Sequence, residues 1–96
     1  MGATPFEYTG EGKSAEEAFL NARDEALFDH GHAGYTGTLA EKNDYIMVAL
    51  PEGEDAYAYA ARLIEEGDER IDDKWGPAGC IELGGGRFLF FGWAPS

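Results

Sequence analysis

The two histidines of the chain lie in one short stretch, Asp29-His30-Gly31-His32, with Tyr35 three residues beyond. Histidine and aspartate ligate zinc and related ions, and histidine titrates near neutral pH. Asp29, His30, His32 and Tyr35 therefore form a candidate polar site. Their spacing favours a plainer role. Two histidines around a helix stop seldom reach one tetrahedral ion, and no HExxH pattern accompanies them. A histidine in the last turn of a helix complements the helix dipole, so capping is the first reading and metal or acid–base chemistry the second.

Other chemistry-bearing stretches read similarly. Gly34-Tyr35-Thr36-Gly37-Thr38 offers backbone N–H groups to an anion. Phosphate loops run from a strand into a helix with a lysine nearby, and the order here is the reverse, so the stretch reads as a tight entry into a strand. Gly84-Gly85-Gly86-Arg87 reads as a hairpin turn with an arginine at the strand edge, and no helix follows as a dinucleotide fingerprint requires. Cys80 is the sole cysteine, which excludes an intrachain disulfide and a four-cysteine zinc site. It sits in an apolar strand pattern and reads as a buried, inert thiol. Sequence-adjacent acids such as Glu16-Glu17 and Asp72-Asp73 do not define a cleft of the kind glycoside hydrolysis needs. No catalytic residue and no metal ligand is assigned, no cofactor is expected, and the balance is against an enzyme.

The acidic residues carry more. The 96 residues hold 19 acids against 7 bases, a net charge of −12, with a pI near 4.3. Such a balance disfavours direct binding of nucleic acid or an anionic membrane. Residues 52–73 alone contain Glu52, Glu54, Asp55, Glu65, Glu66, Asp68, Glu69, Asp72 and Asp73 against Arg62 and Arg70. Glu54, Asp55, Glu65, Glu66, Asp68, Glu69, Asp72 and Asp73 are the candidate surface for a basic protein partner, which such a field would steer. The leading expectation is a small acidic interaction or regulatory module. The alternatives are a nucleic-acid mimic that occupies a protein's nucleic-acid channel, a domain adapted to a salt-rich interior, and a small metal- or ligand-binding enzyme. A homodimer formed along a sheet edge, with Tyr57 and Trp93 completing the surface, is a further reading. The sequence shows no secretory leader pattern and no apolar run of transmembrane length, so a cytoplasmic setting is expected.

These residues need elements to hold them. Phe6–Thr9 reads as a short strand. Ser14 with Glu17 three residues on reads as a capping box, and Ala15, Ala18, Phe19, Ala22 and Ala26, widened by Leu20 and Leu27, mark a helix over 15–30 that stops at Gly31. Tyr35–Ala40 and Tyr45–Leu50 read as two strands joined by a turn at Glu41–Asp44, the second of them central or partly covered on both sides. Glu52–Asp55 opens a second helix with inner residues Ala56, Tyr59, Ala60, Leu63 and Ile64, and Gly67 stops it. Ile71 and Trp75 are expected to pin the charged connection to the core. Cys80–Leu83 and Phe88–Trp93 form a last strand pair around the glycine turn.

The order βαββαββ within one domain, residues 1–96, predicts an α+β fold. Its simplest form is a two-layer α/β sandwich, two helices on one face of a largely antiparallel sheet of 4–5 strands. Residues 34–48 also align with 76–90 at an offset of 42, which raises an αββ duplication.

Overall fold

The computed structural model describes residues 2–31 and 34–96. The elements are β1 (Ala3–Glu11), α1 (Ala15–His30), a 3-10 turn (Leu39–Glu41), β2 (Tyr45–Met47), α2 (Ala56–Glu66), β3 (Ala78–Gly84) and β4 (Arg87–Pro95). One four-stranded sheet runs in the order β1-β4-β3-β2. β1 and β3 flank β4 antiparallel, and β2 lies parallel to β3. The α+β class and the largely antiparallel sheet with two packed helices are those expected.

α1 begins where its sequence says. Ser14 Oγ accepts from Glu17 N at 3.2 Å, and the Glu17 carboxylate reaches back to Lys13 N at 3.0 Å. Removing such a cap costs about 1 kcal/mol. Gly31 ends the helix by donating to Leu27 O. Alanines on the inner face let the helix approach closely. A Cβ on Gly10 would lie 2.5 Å from Ala18 O and 2.9 Å from Ala22 Cβ, so β1 needs glycine there.

Side chains alternate along a strand, and here they divide the core in two. Phe6, Cys80, Phe88 and Phe90 pack with Ala18, Phe19, Ala22 and Ala26 of α1. Ile81, Leu89 and Phe91 pack with Ala56, Ala60 and Leu63 of α2. Because Phe90 and Phe91 are neighbours on one strand, their two partner helices lie on opposite sides of the sheet. The single-face placement is corrected accordingly: a sheet whose β4 is apolar on both faces requires cover on both.

Four further expectations change. Tyr35–Ala40 is not a strand: Gly34, Tyr35 and Gly37 all have positive φ, and Thr38 caps the 3-10 turn. Tyr45–Leu50 shortens to three residues at the sheet edge rather than at its centre, with Ile46 and Met47 exposed. Without the first hairpin, and with β2 parallel to β3 across α2, no αββ unit is repeated. Leu20 and Trp75 are exposed, whereas Ile71 is buried as expected. The turn between β3 and β4 is as read, with Gly85 and Gly86 at φ 63° and 79°, the pair of positive values a two-residue hairpin favours.

Candidate protein-interaction surface

The acidic segment surrounds α2. Asp55 caps the helix, its carboxylate accepting from Ala58 N at 2.9 Å. Glu54 pairs with Arg62 at 3.3 Å. At the far end Gly67 takes a left-handed conformation, and its N–H donates back toward Ile64 O and Leu63 O. Asp68 then accepts from Arg70 through both carboxylate oxygens, at 2.9 and 3.0 Å, and from Arg70 N. Those bonds hold the Asp68 carboxyl below its ordinary range and raise the Arg70 guanidinium.

Both arginines of the segment are thus engaged, Arg62 by Glu54 and Arg70 by Asp68. Glu65, Glu66, Glu69 and Asp72 are exposed, and none of them has an ion-pair partner among the described residues. Asp73 Oδ1 accepts from Trp75 N and fixes the turn that presents Trp75. That indole is 62% exposed. The Tyr35 ring meets it edge-on at 6.2 Å and Lys74 Nζ lies 5.6 Å from its centre. Of the eight acids read as one surface, five (Glu65, Glu66, Glu69, Asp72 and Asp73) cluster at the exit of α2. Asp68 lies among them but is tied to Arg70, and Glu54 and Asp55 belong to the opposite end of the helix.

Lys42 was not anticipated as a key residue. It is 1% exposed. Its Nζ donates to three carbonyl oxygens of the acidic exit: Gly76 at 2.8 Å, Lys74 at 3.0 Å and Asp73 at 3.4 Å. An ammonium has three donors, and all three are used. Burial pushes its pKa down to about 8, and the Asp73 charge works against that shift. A lysine between Glu41 and Asn43 in a polar turn carries no sequence signal of burial.

The candidate polar site is only partly assembled. His30 Nε2 lies 3.0 Å from the Tyr8 hydroxyl. Burial raises the Tyr8 phenol, with the Asp29 and Glu25 charges adding to the rise and a hydrogen bond to Thr38 opposing it. Tyr35 turns to Trp75 instead, and His32 lies outside the described residues. No group of three or more His, Cys, Asp or Glu side chains is placed to hold a metal among the described residues. Next to this site, the Thr36 hydroxyl joins Thr38 Oγ1 at 2.7 Å and donates to Glu41 at 2.8 Å, while Thr36 N donates to the same carboxylate at 3.1 Å. Burial alone would raise the Glu41 pKa, but these bonds, one from Tyr35 N–H and the charge of Arg23 bring it below its ordinary value.

Burial raises the Cys80 thiol to about 12, which leaves it protonated at neutral pH. Tyr57 is exposed and hydrogen-bonds Thr9 at 3.1 Å, while Trp93 is half-buried against the α2-side core. No helix among the described residues is long and apolar enough to cross a membrane. The chain matches no protein-family model, and comparisons with curated proteins and with solved structures return no match.

Proposed function

We propose that the protein is a small acidic interaction module that binds a basic protein partner at the exit of α2. One observation carries the reading. Arg62 and Arg70 are taken up by Glu54 and Asp68, so the carboxylates of Glu65, Glu66, Glu69 and Asp72 face solvent, and the connection that follows the helix also exposes Trp75. Charge steers and orients a basic partner, and an aromatic side chain supplies the anchor that interfaces favour. The Lys42 ammonium fixes the backbone beneath that anchor, so the surface is organised before a partner arrives. In this reading the module works in the cytoplasm.

The test is capture of partners by the immobilised protein at low and at high salt, followed by mass spectrometry. The same capture is run with a variant carrying Glu65→Gln, Glu66→Gln, Glu69→Gln and Asp72→Asn. A specific partner should be basic, should be lost by roughly tenfold or more at high salt, and should fail to bind the variant. Equal capture by protein and variant removes the reading. A captured protein that itself binds nucleic acid would sharpen it toward mimicry.

A further inference from the structure

We propose that the outer edge of β1 accepts an extended segment of a basic protein as a fifth strand of the sheet. The proposal rests on the basic partner of the function above but uses different residues. Gly2 and Ser96 exchange both backbone hydrogen bonds at 3.1 Å, and Gly12 N donates to Gly86 O at 2.9 Å. With the β1–β4 register continuous between them, the even-numbered residues of β1 hold the ladder to β4. The odd-numbered residues Ala3, Pro5, Glu7, Thr9 and Glu11 therefore turn their N–H and C=O groups outward. Pro5 agrees with this parity, since proline is tolerated in a strand where no ladder donor is needed.

One outward group is taken: Glu11 O accepts from Asn21 Nδ2 at 2.9 Å. The N–H groups of Ala3, Glu7 and Thr9, and the carbonyls of Ala3, Pro5, Glu7 and Thr9, have no partner among the described residues. A row of outward donors and acceptors on an exposed edge is a template for another strand. A groove of about 480 Å³ opens along the C-terminal half of this edge, lined in part by Thr9, Glu11, Asn21, Glu25 and Arg87.

Charge selects the occupant. Glu7 and Glu11 stand on the edge, and Glu11 and Glu25 line the groove with Arg87. A second copy would bring one β1 and its acids against another on a chain of net charge −12, and like charges directly opposite each other in a sheet are destabilising. An extended segment with alternating lysines places cations opposite Glu7 and Glu11 and makes the same backbone bonds.

The experiment is amide hydrogen exchange by NMR on the full chain with a synthetic peptide of alternating lysine and valine. The comparison is the same peptide N-methylated at every residue, which keeps the charge and removes the donors. The expected result is exchange at Glu7 and Thr9 slowed by about tenfold or more with the first peptide only, while Tyr8, already in the ladder, is unchanged. Equal effects of both peptides, or no effect of either, overturn strand addition. So does protection of Glu7 and Thr9 without peptide, which would mark self-pairing. Perturbation confined to Glu65–Asp72 also overturns it but leaves the α2 exit as the binding surface, which the capture experiment reads separately.

Discussion

The exits of the two helices make a pair. Residues 34–44 leave α1 and residues 67–77 leave α2, and both stretches are polar and rich in glycine. The first folds its polar groups inward: Thr38 and Lys42 are buried, and Thr36, Thr38 and Glu41 bond one another. The second turns Glu69, Asp72 and Asp73 outward and sends inward the Ile71 side chain and the carbonyls that Lys42 collects. Similar composition thus serves two ends. At the α1 exit Thr36, Thr38, Glu41 and Lys42 have their partners within the fold, whereas at the α2 exit Glu69 and Asp72 face solvent. A search for a binding surface belongs at the second.

The largest effect should come from cutting the link between the two exits. Lys42→Met leaves three part-buried carbonyls without their donor, and it should cost about 3 kcal/mol of stability in urea unfolding. The pH dependence has a definite sign. Lys42 titrates at about 8 in the folded chain against 10.5 as its ordinary value. Between those values the unfolded chain holds the extra proton, so this group's contribution to stability grows as pH rises from about 8 toward 10.5. The gap in unfolding midpoint between the protein and Lys42→Met should widen over that window. A gap that narrows would mean that the carbonyls favour the ammonium more than burial opposes it.

The contrast between the exits also marks how far the sequence could be read. Helix limits were legible because they are local. Ser14, Gly31 and Gly67 act on backbone groups within four residues, and the structure places them at those ends. The β3–β4 hairpin was legible for the same reason. Tyr35–Ala40 misled because Tyr35, Gly37 and Leu39 alternate as a strand would, while the backbone angles there are positive at Gly34, Tyr35 and Gly37. Periodicity carries no sign of φ. The parallel seat of β2 beside β3 and the burial of Lys42 depend on residues more than 30 positions away. The acids of the candidate surface were legible as a charge run. The engagement of Arg62 and Arg70, which decides which acids remain toward solvent, was not.

A smaller loss is expected within the α1 exit. Glu41→Gln keeps the shape but removes the charge that accepts from Thr36 and faces Arg23. It should cost about 1 kcal/mol near neutral pH. The Glu41 pKa is lowered on folding, so its contribution is present above the ordinary carboxylate range and fades as pH falls through the folded value. Unfolding curves of the protein and of Glu41→Gln should therefore converge in acid. Curves that stay parallel down to low pH would assign the loss to packing instead.

The smallest effect on stability belongs to the variant with the largest effect on binding. Glu65, Glu66, Glu69 and Asp72 are exposed and make no ion pair among the described residues. Neutralising all four removes no internal partner, and it reduces repulsion on a chain of net charge −12. The unfolding midpoint should stay the same or rise slightly at low salt, and the rise should vanish as salt is added. Asp68→Asn is the internal contrast, because it breaks the two-oxygen contact with Arg70 and should lower the midpoint. If the four-site variant were instead destabilised as much as Asp68→Asn, those acids would be structural like the ones at the α1 exit. The two exits would then not differ in kind, and the surface would have no carboxylates set aside for a partner.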